Sequence, residues 1–84
     1  MAKYNYAQMA KDILKAVGGA DNVEEADYCA TRIRFDLDDS SLLDEKAIKA
    51  CGCPGVIKMG KGSVQVIVGT HVQAVYDELE ELID

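Results

Sequence analysis

Cys29-Ala30-Thr31-Arg32-Ile33-Arg34, running on as Phe35-Asp36-Leu37, is the stretch around which the chain is organised. The two arginines of the sequence stand three and five residues after a cysteine. From Arg32 onward polar and apolar residues alternate, which is the two-residue period of a half-buried strand. Ile33, Phe35 and Leu37 point one way, into a core. Arg32, Arg34 and Asp36 point the other way, so two guanidinium groups lie side by side on an open face. The thiol sits just before the strand begins.

That pattern suits phosphoryl chemistry. A free cysteine has a pKa of about 8.5, and nearby arginines favour its thiolate. The same arginines present planar forks of donors that match a phosphate bidentately. A thiolate beside two arginines can attack a phosphoryl group, hold it, and spread the transition-state charge. Spacing alone leaves a second reading open: a buried structural cysteine next to two surface arginines.

Outward from this strand, the rest of the chain reads as one small domain spanning residues 1–84. Residues 1–5 form a lead-in, with Asn5 as N-cap of a first helix from Tyr6 to about Val17. Met9, Ile13, Leu14 and Val17 give its apolar face. Gly18-Gly19 stops it with a left-handed cap. A short strand ends near Tyr28, and Cys29 to Thr31 turn into the second strand, about Arg32 to Asp38. Amides of residues 30 to 32 can converge on an anion there, as turn amides do in anion-binding nests.

The pair Ser41 and Asp44 predicts a capping box for a second helix, with Leu42, Leu43, Ala47, Ile48 and Cys51 as its stripe and Gly52 as its end. Val56 to Met59 and Ser63 to Val68 read as a hairpin joined by Gly60-Lys61-Gly62. Thr70 caps a last helix whose apolar points are Val72, Val75, Tyr76, Leu79, Leu82 and Ile83. The fold class is therefore α+β, in the order α-β-β-α-β-β-α: a four-stranded antiparallel sheet with three helices on one face.

The stretch resembles the active-site motif Cys-x-Thr-Arg-(Leu/Ile)-Arg of the EIIB domains of the bacterial phosphotransferase system (PTS), in the glucose, sucrose and β-glucoside superfamily. Ala10 to Leu14 with Val17-Gly18-Gly19 and Asn22-Val23 resembles the start of these domains. Gly55 to Lys58 and Val64 to Gly69 resemble later segments. The resemblance implies the same layered architecture and a transferase component, with Cys29 as phosphocysteine. It implies a phosphohistidine of EIIA as donor, a sugar held by the membrane component EIIC as acceptor, and Arg32 and Arg34 as phosphate ligands.

Around that motif several roles stay open. Thr31 either donates to the phosphate or only shapes the turn. Asp27 either orients an arginine or faces solvent. Gln65, between Val64 and Val66, shares the arginines' face and either lies near the phosphate or is a surface residue. Ala30 and Val23 are the apolar residues expected to meet a docking partner.

A rival reading is a redox or metal-binding module using Cys29, Cys51 and Cys53. The Cys51-x-Cys53 pair has no second pair to complete a zinc set, and His71, the single histidine, stands far along the chain. Cys51 is therefore expected in the core, Cys53 as an incidental loop thiol and His71 on the surface. A third reading, an interaction domain whose arginines bind an acidic peptide, predicts that Cys29→Ser is silent. Gly60-Lys61-Gly62-Ser63 lacks the spacing of a nucleotide loop and joins two strands. No metal or organic cofactor is expected.

Composition bounds these options. A net charge of −6 argues against nucleic-acid binding and against attachment to anionic lipid. No stretch approaches the roughly 18 apolar residues of a membrane span, so no insertion is expected. The first residues lack the apolar core of a signal peptide. With three cysteines, an odd number, a reduced cytoplasmic setting fits best.

Overall fold

Strict alternation along the motif strand builds the centre of the molecule. In the computed structural model, which describes residues 5–83, Ile33 and Phe35 are fully buried and Leu37 nearly so. The residues between them stay at least partly open. The elements are α1 (Tyr6–Ala16), β1 (Val23–Tyr28), β2 (Arg32–Leu37), α2 (Glu45–Ala50), β3 (Gly55–Gly60), β4 (Ser63–Ile67) and α3 (Val72–Ile83), with short 3-10 turns at Ala20–Asn22 and Ser40–Leu42. The sheet order is β1-β2-β4-β3, antiparallel throughout. This is the expected α+β architecture, and the expected first four residues of the lead-in lie outside the described residues.

Val64 and Val66 of β4 join Ile33 and Phe35 on the inner face, covered by Met9 and Ile13 of α1, Ile48 of α2, and Val72, Val75 and Leu79 of α3. Burying such side chains stabilises by roughly 1.5–3 kcal/mol each. Tyr76 ties α3 to the sheet, its hydroxyl donating to the Ala26 carbonyl at 2.9 Å. On the outer face, directly opposed partners place Asp27, Arg34, Gln65 and Ile57 in one row across all four strands. No helix of the described residues is long and apolar enough to cross a membrane.

Local chemistry sets the boundaries. Asn5 caps α1 as expected, its Oδ1 accepting from the Gln8 amide at 3.0 Å. The second helix differs from expectation. Its N-cap is Asp44, which accepts from the Ala47 amide at 3.1 Å, and Ser41 belongs to a separate 3-10 turn capped by Asp39. Ser and Asp compete equally well as caps, and here Asp39 takes the Ser41 amide and hydroxyl, at 3.0 and 2.6 Å. Leu42 is therefore not part of the helical stripe and is 52% exposed.

The third helix begins at Val72, after a turn in which the Val72 amide donates to the Gly69 carbonyl, so Thr70 stands too early to cap it. His71 is half-buried rather than on the surface, its ring stacked on Tyr6 at 5.5 Å.

One polar residue is buried among the apolar ones. Asn22 is 5% exposed and anchors the corner between α1 and the sheet. Its amide donates to the carbonyls of Val17 (2.7 Å) and Asp39 (2.9 Å), and its Oδ1 accepts from the Asp39 amide (2.8 Å). A buried amide so satisfied costs little to bury and closes two loops onto one another.

Candidate functional site

The turn from β1 to β2 is a tight one: the Cys29 amide donates to the Arg32 carbonyl at 2.8 Å. The carbonyl of Thr31 accepts from the amides of Val68 and Gly69, at 2.8 and 2.9 Å. The turn is thereby pinned to the end of β4 rather than left as a free loop. Among the described residues no backbone hydrogen bond uses the amides of Ala30 and Thr31. Both residues are exposed at the tip of the turn.

Cys29 is exposed and its thiol is free. Beside it is a cavity of about 120 Å3 lined by Asp27, Tyr28, Cys29, Arg32, Arg34 and Gln65. Five of the six residues singled out in the sequence thus meet in one place, and the sixth, Thr31, stands in the turn without lining the cavity.

Each charged side chain is held. Arg32 is half-buried, and its Nη1 donates to Gln65 Oε1 at 2.9 Å. Arg34 meets Asp27 with Nη2 3.3 Å from Oδ2, both largely exposed. Gln65 stands directly across from Arg34 in the sheet, yet its side chain serves Arg32 instead. The Asp27 Oδ1 also accepts from the Tyr28 amide at 2.7 Å, which fixes the carboxylate. Positions of like parity on β1, β2 and β4 supply this set, so the pleat of the sheet points all of it outward.

Tyr28 is the residue that sequence reasoning missed. It is 37% exposed and lines the cavity, and its ring packs on Tyr76 with centroids 4.6 Å apart. The signal was its position immediately before the cysteine, as the aromatic last residue of the strand. Val23 is the opposite case. It pairs with Leu37 at the far end of β1 and packs against the core, so it cannot meet a partner docked at Cys29.

Of the two other cysteines, Cys51 packs against the core from its edge, and Cys53 is a core residue rather than the expected incidental loop thiol. Cys53 is buried in the core at 2% exposure, whereas Cys51 is half-buried. The chain must pass from the end of α2 down into β3, and this descent carries the second thiol inward. Their Sγ atoms are 3.8 Å apart.

The match to known proteins covers this site and its surroundings. A family model described as "phosphotransferase system, EIIB" matches residues 11–44, which include the turn and both arginines. The N-acetylglucosamine-specific EIIB component of the phosphotransferase system of Streptomyces coelicolor is 40% identical over 76 residues, 90% of this chain and 97% of that protein. The chain belongs to the EIIB family of the phosphotransferase system.

The EIIB match extends to larger proteins. An alpha-glucoside-specific EIICB component of Leptotrichia buccalis is 44% identical over 82 residues, 96% of this chain but 15% of that protein. A solved domain of a IIabc component of the phosphotransferase system from Clostridium difficile superposes with a TM-score of 0.85 at 31% identity, covering 96% of this chain and 86% of the other. As an EIIB component, this chain is part of a phosphotransferase, a transferase acting in sugar phosphorylation. The two named relatives differ in their sugar, so EIIB similarity does not carry the sugar with it.

Proposed function

We propose that this EIIB domain carries the phosphoryl group on Cys29. The observation behind the reading is the exposed Cys29 thiol at a cavity whose walls hold the guanidinium groups of Arg32 and Arg34. The Cys29 thiolate attacks the phosphorus of a phosphohistidine on EIIA. The N–P bond breaks as the S–P bond forms, and the imidazole leaves. In the second step a sugar hydroxyl bound in EIIC attacks the same phosphorus. The S–P bond breaks, the hydroxyl proton passes to solvent, and Cys29 returns as thiolate.

The residues around Cys29 contribute positioning and charge. Arg32, braced by Gln65, keeps its remaining donors for the equatorial phosphoryl oxygens. Arg34 is paired with Asp27, its Nη2 3.3 Å from Oδ2. That exposed pair is worth no more than about 1 kcal/mol. An arriving phosphoryl dianion outcompetes it for the Arg34 guanidinium, while Asp27 keeps its hydrogen bond to the Tyr28 amide. Thr31 acts through its turn, with the amides of Ala30 and Thr31 supplying further donors. No organic cofactor or metal is required at the sulfur.

EIIA and EIIC dock in turn on the rim that carries Ala30 and Tyr28, in the cytoplasm or at the cytoplasmic face of the membrane. The test is intact-mass spectrometry after incubation with phosphoenolpyruvate, the general phosphotransferase enzymes and an EIIA. One phosphoryl group added to the unsubstituted chain and none to Cys29→Ser is expected. Equal addition to both would overturn the assignment, as would phosphate on another residue.

A further inference from the structure

The Cys51 and Cys53 thiols stand outside the site just described, on the helical side of the sheet. Their Sγ atoms are 3.8 Å apart, against about 2.05 Å in a disulfide, and one flexible residue separates them. That residue is Gly52 at φ +101°, a conformation open to glycine and readjusted at little cost. The two thiols differ in access. Cys53 is sealed in the core, while Cys51 lines a groove of about 530 Å3 between α1 and α2. The groove walls offer both signs of charge, with Asp12, Lys15 and Asp44 beside apolar Leu42 and Ala47. Among the described residues no group of three or more metal-ligating side chains is present, so the pair has no third ligand for a closed metal site.

We propose that Cys51 and Cys53 form a thiol–disulfide exchange site that accepts a low-molecular-weight disulfide of zwitterionic character. Cys51 is the attacking sulfur, because it alone faces the groove. Its thiolate attacks one sulfur of the small disulfide. The S–S bond of that molecule breaks, a mixed disulfide forms on Cys51, and one small thiolate leaves. Cys53 then attacks the Cys51 sulfur. The second small thiol departs with the proton given up by Cys53, and a Cys51–Cys53 disulfide remains. Two cysteines have been oxidised and one small disulfide reduced to two thiols. The charged walls suit a reagent carrying both ammonium and carboxylate groups, and the groove gives its body room while the sulfurs exchange.

The full chain tests this directly, with glutathione disulfide as the probe. Trypsin cuts after Lys49 and Lys58, so Ala50–Lys58 carries both thiols and is separated from the peptide holding Cys29. The expected product is that peptide two hydrogens lighter, closed to maleimide and restored by dithiothreitol. In Cys53→Ser the peptide should retain one glutathione on Cys51, and in Cys51→Ser the Cys53 thiol should stay unmodified. Two free thiols after incubation would overturn the proposal, as would a glutathione adduct that never closes or a Cys29–Cys51 link. The decisive reading uses the unsubstituted chain, so misfolding of a variant cannot mask it. The proposal stands apart from phosphoryl transfer: Cys51→Ser and Cys53→Ser should still accept phosphate on Cys29.

Discussion

Arg32 and Arg34 are held differently at the residue scale, although the sequence presents them as a matched pair. Arg32 is half-buried and braced by Gln65, so its fork is preorganised. Arg32→Lys keeps the charge but loses the bidentate geometry. Losing charge-assisted hydrogen bonds of this kind should slow phosphorylation of Cys29 by EIIA about 10- to 100-fold, read from single-turnover phosphate transfer. Asp27→Asn removes only an exposed partner of Arg34, so the same rate should change by less than about fivefold. A larger loss would mean that Asp27 positions Arg34 throughout the reaction. Asn22 is the residue whose importance lay hidden, because a polar residue before a strand reads as loop. Its three hydrogen bonds, one buried and two part-buried, make Asn22→Ala destabilising by about 2–3 kcal/mol in urea unfolding, with Cys29 chemistry intact in the folded fraction.

Elements are held by their junctions, and the β3–β4 hairpin shows how. Lys61 at φ 55° and Gly62 at φ 84° give the left-handed pair that a two-residue hairpin turn requires. A methyl group on Gly62 would run into the carbonyl of Leu37 at the end of β2, where the Gly62 carbonyl also accepts from the Leu37 amide at 2.8 Å. Gly62→Ala should therefore cost about 2–4 kcal/mol, while Lys61→Gly should shift stability by less than about 1 kcal/mol; thermal melts of the two variants check both. Gly60-Lys61-Gly62 was readable as a turn from composition. That Gly62 also abuts β2 was not, since sequence spacing says nothing about which strand lies alongside. The start of α2 was misread for a related reason. Several Ser and Asp residues in succession offer competing caps, and the packing that chooses Asp44 over Ser41 is set elsewhere in the chain.

For the whole molecule, the core carries a titratable group with a pH signature. Burial pushes the Cys53 thiol up from 9.0 to about 12, with the neighbouring Cys51 adding to the effect. A thiol whose folded pKa lies above its unfolded value favours the native state while both are protonated. The contribution is complete below about pH 9 and is lost as pH rises through the window between 9.0 and about 12. Stability should fall with pH across that window, and Cys53→Ala should flatten the fall; urea midpoints at neutral and alkaline pH for the two proteins measure it. Identical slopes would mean that the thiol is exposed to water in the native protein.

By itself the sequence determined the α+β class, the strand after Cys29 and five of the six residues that line the cavity, because periods of two and 3.6 residues and a short motif are local properties. It also determined that Arg32, Arg34 and Gln65 share one face, since the pleat alone assigns parity. Tertiary structure decided what neighbours what. It turned Gln65 toward Arg32 rather than Arg34 and brought Tyr28 to the rim of the cavity while removing Val23 from it. It also sent Cys53 into the core and left Cys51 at its edge. Those outcomes depend on strand order, register and the descent of the chain between layers, which contacts far apart in sequence fix together.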